Sequence, residues 1–89
     1  MRKVKTTGRF DRDFALMVKR GHDISKLRTI MSLLVKEEAM PTASKDHPLR
    51  GKYKGRRDCH IEPNWILIYK LEGNTIIFER MGTHSDLFR

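Results

Sequence analysis

The chain has 89 residues, with 19 Lys or Arg against 11 Asp or Glu and a formal net charge of +8. A chain this short buries one core, so residues 1–89 read as a single domain, and the lone Cys59 excludes an internal disulfide framework. No apolar run reaches membrane-spanning length and no secretory leader follows Met1, which leaves a soluble cytoplasmic protein as the simplest expectation.

In chain order, residues 2–6 read as a short first strand. A helix is predicted over residues 9–20, with Thr7 as N-cap and Gly21 as stop; Phe10, Phe14, Met17 and Val18 fall on one stripe. A second helix, capped by Asp23, carries Ile24, Leu27, Ile30, Met31 and Leu34 at three- and four-residue steps as far as about Glu37. Met and Phe at this spacing are core residues. Residues 38–49, with Pro41 and Pro48, read as a loop. Beyond Gly51 the pattern changes to strands: residues 56–61 alternate, and residues 65–71 and 75–81 are apolar runs. The turns Glu62-Pro63-Asn64 and Glu72-Gly73-Asn74 are short, so these strands are antiparallel neighbours in a meander. The expected architecture is α+β, with two N-terminal helices packed on a curled, mainly antiparallel sheet.

Side chains alternate along a strand, so Arg56, Asp58, His60 and Glu62 are expected on one face and Arg57, Cys59 and Ile61 on the other. With three-residue turns, His60 pairs with Ile66 and Ile66 with Arg80. His60 and Arg80 then share a face two strands apart, about 9–10 Å by strand spacing, together with Ile66, Ile68 and Phe78. A polar row on a strand is usually just a solvated face. Here His47 precedes the sheet and His84 follows its last strand, so three histidines flank one candidate cleft; His22, between the helices, stands apart.

A field of this sign draws polyanions, and without a basic helix bearing bulky apolar anchors nucleic acid is favoured over membrane. RNA cleavage without a metal needs a base for the ribose 2′-hydroxyl, an acid for the departing 5′-oxygen and a cation for the five-coordinate phosphorus. Histidine serves both proton transfers because its pKa lies near working pH, and arginine serves the charge because its fork matches phosphate oxygens. Lys45, Arg50, Lys52, Lys54, Arg56 and Arg57 crowd between Pro41 and His60 against only Asp46 and Asp58. Tyr53, Trp65 and Phe88 are aromatics suited to stacking on bases, although Trp65 opens a strand and suits a core. A zinc site is disfavoured: Cys59 and His60 are adjacent on a strand and point oppositely, and no C-x₂-C or H-x₃-H spacing occurs. A Cys59 nucleophile working with His60 fails on the same geometry. The expected reaction uses no cofactor and no metal.

The stretch Lys45-Asp46-His47-Pro48-Leu49, then Gly51, then Arg57-Asp58-Cys59-His60-Ile61-Glu62-Pro63 and Trp65-Ile66-Leu67-Ile68-Tyr69, resembles the YafQ branch of the RelE toxin superfamily. Phe78-Glu79-Arg80 and Gly82-Thr83-His84-Ser85-Asp86-Leu87-Phe88 extend the resemblance, which covers about half the chain by motif. It implies the toxin of a type II toxin–antitoxin system, an endoribonuclease cutting mRNA in the ribosomal A site and bound by a cognate antitoxin. It also implies catalytic roles for His47, His60 and His84, a transition-state role for Arg80 and a substrate-side aromatic at Phe88. Asp58 and Asn64 are supporting candidates, and Lys52, Lys54, Arg56 and Arg57 are RNA-binding ones. This branch commonly has Asp where the chain has Asn64, and asparagine cannot act as a base. Two other classes share features: a gyrase-poisoning toxin of the ParE type shares the fold, and a non-catalytic RNA-binding regulator shares the basic patch. Neither needs three proton-transfer histidines.

Overall fold

The computed structural model describes residues 1–88. Strand β1 (Lys3–Thr6) leads into helices α1 (Gly8–Lys19) and α2 (Ile24–Val35). Two 3-10 turns, Thr42–Ser44 and Gly51–Tyr53, bracket the two-residue strand β2 (His47–Pro48). Strands β3 (Arg57–Glu62), β4 (Trp65–Glu72) and β5 (Thr75–Gly82) form the meander, and the one-turn helix α3 (His84–Leu87) follows. All five strands join one sheet in the order β1-β5-β4-β3-β2, with β1 parallel to β5 and the other neighbours antiparallel. The expected α+β architecture is present, and the expected loop between residues 38 and 49 contributes an edge strand.

Local chemistry starts and stops the helices where the sequence places the signals. Thr7 Oγ1 accepts the Phe10 N–H at 3.0 Å and donates to the Glu79 carbonyl at 2.8 Å, so one hydroxyl caps α1 and ties it to β5. Asp23 accepts the Ser25 N–H to open α2, and Gly21, at φ +83°, takes the left-handed turn between the helices. Phe10 and Met17 of α1 and Leu27, Ile30 and Leu34 of α2 pack on Cys59, Trp65, Leu67, Tyr69, Ile76, Phe78 and Met81 of the sheet. Val18 does not join them. It is exposed, because the buried stripe of α1 is narrow and runs through residues 10, 14 and 17.

The opposite face of β4 is covered by a smaller cluster, in which Ile66 and Ile68 meet Leu87, Leu49 and Tyr53. Trp65 to Tyr69 are therefore buried on both sides, which accounts for an unbroken apolar run in an antiparallel sheet.

Two irregularities alter the expected registration. His60 pairs with Ile66, as simple counting gives, but the ladder slips between His60 and Glu62 and sets Glu62 opposite Trp65. Glu62 therefore leaves the His60 face and reaches Lys26 on α2 at 2.8 Å. The β4–β5 turn holds two residues, not three, so Tyr69 pairs with Phe78. Phe78 then joins the helix-side core beside Phe10, at 5.8 Å between rings, and not the ionisable face. A further slip between Ile68 and Tyr69 pairs Arg80 with Ile68 and Gly82 with Ile66, so Arg80 lies two residues along from the expected His60 row.

Helix α3 is too short to be stable alone. Thr83 Oγ1 accepts the Asp86 N–H while Asp86 Oδ2 accepts the Thr83 N–H at 2.9 Å, a reciprocal cap. Arg20, at the end of α1, grips the same carboxylate through Nη1 at 2.8 Å and Nη2 at 3.4 Å. Gly82 leaves room for this arrangement, since a Cβ there would lie 2.8 Å from the Asp86 Cβ.

Two stability predictions follow from these fastenings. Thr7→Val keeps the shape and deletes both hydrogen bonds, and urea unfolding should show a loss of about 1–2 kcal/mol. The Arg20 guanidinium holds the Asp86 carboxyl well below the usual carboxylate range, so its ionised form stabilises the fold. That contribution is complete above the unfolded carboxylate pKa of about 4 and is lost as pH falls below it. Between pH 5 and pH 3 the wild type should therefore lose more unfolding free energy than Asp86→Asn. The variant keeps part of the slope, because Asp23 and Glu62 are also held below their ordinary values by Ser25 and Lys26.

Candidate active site

Strand β2 sets His47 directly opposite Asp58. The backbone of Lys45 turns into the left-handed region, at φ +49°, and its carbonyl lies 2.6 Å from His47 Nδ1. A carbonyl only accepts, so Nδ1 carries the proton and the lone pair of the neutral ring sits on Nε2. Asp58 is buried, with Oδ1 3.1 Å from the same Nδ1 but outside its hydrogen-bonding direction, so this oxygen has no donor among the described residues. Burial pushes the Asp58 carboxyl above its ordinary value, opposed by the histidine charges of His47, His60 and His84. Asp58 and His47 thus stand as a close carboxyl–imidazole couple at the edge of the sheet.

His84 is fastened in the same way by a different group. Asn64 Oδ1 accepts the His84 backbone N–H at 3.0 Å and lies 2.7 Å from His84 Nδ1. The backbone contact fixes which end of the amide is the oxygen, so His84 Nδ1 must donate, and Nε2 is again the exchangeable nitrogen. His60, on the same face as Asp58, stands 5.6 Å from the His84 ring, edge to face. Phe88 lies 6.2 Å beyond His84, and Tyr53 5.8 Å beyond Phe88. The three histidines singled out from the sequence therefore share one surface, with His47 beside Asp58 at one edge and His60 and His84 in contact with each other.

The cations divide. Arg80 lies with Arg9, Lys52, Tyr53, Arg56 and Glu79 around a shallow depression on the Phe88 side. It is held by Asp13 of α1, Nε to Oδ2 at 2.8 Å and Nη2 to Oδ1 at 3.2 Å, and this pairing holds its pKa up. Arg56 pairs with Glu79 at 2.8 Å, and the Lys52 ammonium sits 5.2 Å from the centre of the Tyr53 ring. Lys54 lies in the same segment, just past the second 3-10 turn. Arg57 is turned away. It points to the helix side, where Asp46 takes its Nε at 3.4 Å and the Tyr69 hydroxyl at 2.6 Å, and so it does not join the histidine surface.

Sequence reasoning gave no role to Asp13, Arg20, Asp46, Tyr69 and Asp86, which pair with candidate side chains or fasten the elements that carry them. Only Asp86 had a local signal, the Thr83-x-x-Asp86 capping pattern. His22, set apart from the sequence, packs at a tilt against Trp65, with 4.7 Å between ring centres, and Trp65 is fully buried core. Among the described residues no three His, Cys, Asp or Glu side chains come together as a metal cage. Burial pushes the Cys59 thiol up to about 12, so it has no thiolate character near neutral pH. No helix among the described residues is long and apolar enough to cross a membrane.

Comparison with known proteins places this geometry in a lineage. The family model described as the bacterial toxin of type II toxin–antitoxin systems, YafQ, matches residues 2–89. The mRNA interferase toxin YafQ of Escherichia coli K12 is 47% identical over 88 residues, covering 98% of this chain and 96% of that one. YafQ in the crystal structure of the E. coli DinJ–YafQ complex superposes with a TM-score of 0.93 at 46% identity, over 100% of both chains. A metal-bound toxin from Helicobacter pylori superposes at 0.92 with 37% identity, over 99% of this chain and 100% of its own. With a full-length family match and close relatives in both sequence and structure, the chain belongs to the YafQ family of bacterial toxins of type II toxin–antitoxin systems.

Proposed function

We propose that this toxin is an mRNA endoribonuclease that cuts by 2′-hydroxyl attack, with acid–base catalysis by its own histidines. One observation carries the reading: His47 and His84 each have Nδ1 committed to a fixed acceptor, so each offers Nε2 for proton transfer on one surface. The name of the E. coli relative, an mRNA interferase at 47% identity, supports the substrate class.

His47 is the general base. Its Nε2 takes the 2′-proton, and the imidazolium that forms faces the Asp58 carboxylate at 3.1 Å. His84 is the general acid: protonated at Nε2, it gives that proton to the departing 5′-oxygen while Asn64 keeps its ring in place. His60, 5.6 Å from His84, supplies a further imidazole against the phosphate as charge builds on it. Arg80, Lys52 and Lys54 take flanking phosphates, and Phe88 packs against the substrate strand. The message is bound in the ribosomal A site, since so small a body offers little surface to align a flexible RNA, and external positioning removes several kcal/mol of barrier. A cognate antitoxin holds the toxin silent, as the DinJ–YafQ complex of E. coli suggests. The net charge of +8 suits an acidic segment that folds on binding.

Product ends test the mechanism. Translating ribosomes treated with the toxin should yield a 2′,3′-cyclic phosphate or 3′-phosphate upstream and a 5′-hydroxyl downstream. The rate should be unchanged by excess chelator, and naked RNA should be cut far more slowly. Because the H. pylori relative was crystallised with metal, the chelator arm is decisive: a 5′-phosphate product, or activity restored only by added metal, overturns the scheme.

The histidine roles have their own test. His84→Gln should lower the single-turnover rate by about 10²–10⁴-fold with ribosome binding nearly unchanged. Asn64→Asp keeps an acceptor at His84 Nδ1 but adds a charge that raises the histidine pKa, so the alkaline limb of the pH–rate profile should move upward. The rate near neutrality should change less than about tenfold. Asn64→Ala, which removes the acceptor, should cost more. A hundredfold gain in the Asp variant would place the base at residue 64 and refute the assignment to His47.

A further inference from the structure

On the other side of the histidine pair from the basic depression lies a larger cavity of about 630 Å³. Its apolar walls come from three separate elements: Ile30 of α2, Pro41 and Ala43 at the first 3-10 turn, and Ile61 and Pro63 at the β3–β4 turn. His60 and His84 form its rim, whereas His47 does not line it. No catalytic step described above uses the hollow.

From this arrangement we infer that the cavity is a nucleobase subsite, taking the base of the nucleotide immediately downstream of the cut. The inference rests on the mRNA-cleavage reading and extends it. Phosphates have donors on the opposite side, where Arg9 and Lys52 line the depression beside the carboxylate-held Arg56 and Arg80. The cavity instead presents mainly apolar walls, and its two charged lining residues are of opposite sign, Lys45 and a Glu62 carboxylate already held by Lys26 at 2.8 Å. It therefore offers polar edges to a base but no cluster of cations to a phosphate. A flat heterocycle gains from such walls by stacking and by loss of exposed apolar surface. The side of the cut follows from the rim. His84, which protonates the leaving 5′-oxygen, lines the cavity, and His47, which takes the upstream 2′-proton, stays outside it. A strand with its reacting phosphate at the histidines therefore turns its downstream base inward while its backbone continues over the basic side. The slip in β3 belongs to this design, because it delivers Ile61 and Glu62 to the cavity immediately beside His60.

Ala43 is exposed on the wall, so Ala43→Phe fills the hollow without disturbing the core. The experiment compares single-turnover cleavage on programmed ribosomes of an intact message, a message abasic just downstream of the cut and one abasic just upstream. The wild type should lose about 10–100-fold on the downstream abasic message, and less on the upstream one. Ala43→Phe should cut the intact message with that same deficit and lose nothing further on the downstream abasic message. Full-rate cleavage by the variant, or an abasic penalty that persists in it, overturns the subsite. So does a variant that cuts normally but no longer binds antitoxin, since the cavity would then serve the protein partner. An unchanged melting temperature confirms folding; should Ala43→Phe fail to fold, Pro41→Trp fills the same wall and reads the same outcomes. A wild type that cuts none of the messages would instead remove the nuclease reading itself, and the subsite with it.

Discussion

A helix of four residues has no stability of its own, yet α3 carries His84, and the distances from His84 to His60, Asn64 and Phe88 depend on where that helix sits. Its position is set by one carboxylate. Asp86 closes the capping box with Thr83, receives the fork of Arg20 from the end of α1, and presses on Gly82, where no side chain fits. Through Arg20 the first helix is tied to the end of the sheet, and through Leu87 the same turn covers Ile66 and Ile68. The surface that bears the histidines is thus fastened to the core from both sides of the sheet.

Each outer histidine also has its tautomer decided by a group that cannot change its own protonation. A backbone carbonyl holds His47 and an amide oxygen, itself oriented by a backbone N–H, holds His84. Fixed acceptors keep both rings as Nδ1–H throughout, so only Nε2 changes state. The difference between the two lies in the charge behind them. Asp58 sits 3.1 Å from His47, whereas Asn64 brings no charge to His84. Unlike neighbours of this kind suit the proposed division into one base and one acid. Asn64 in place of a carboxylate fits this division, since an anion there would make the two histidines alike.

The helices, their caps and the meander were legible because each rests on local signals: Thr7 and Asp23 before apolar stripes, Gly21 after one, and turn residues between the strands. The histidine surface was legible because residue type and order carry it. Registration was not, and the reasons are specific. Counting along β4 and β5 assumed a three-residue turn, but Gly73, at φ +54°, supports a two-residue one, which shifts parity and takes Phe78 to the other face. The slips that restore parity near Arg80 and remove Glu62 from the His60 row carry no local sequence signature of the kind a turn residue gives. Ion pairs between elements far apart in the chain, such as Asp13–Arg80 and Arg20–Asp86, were invisible for the same reason.

Those pairs change what the positive charge of the chain means. Arg20, Arg56, Arg57 and Arg80 each hold a carboxylate, so much of the arginine complement serves as rigid forks inside the protein. The field that draws a polyanion must then come more from lysines, whose flexible stems suit loose phosphate contact. Arg80 is the instructive case. Two of its donors already rest on Asp13, and the pair as a whole is neutral, so it adds little net field at the cleft. What it retains is direction: a guanidinium held in plane by a carboxylate points its remaining N–H groups one way, with little conformational entropy left to lose on meeting a phosphate. In the proposed mechanism, net charge would account for the attraction of RNA, and the paired arginine and the fastened histidines for its alignment.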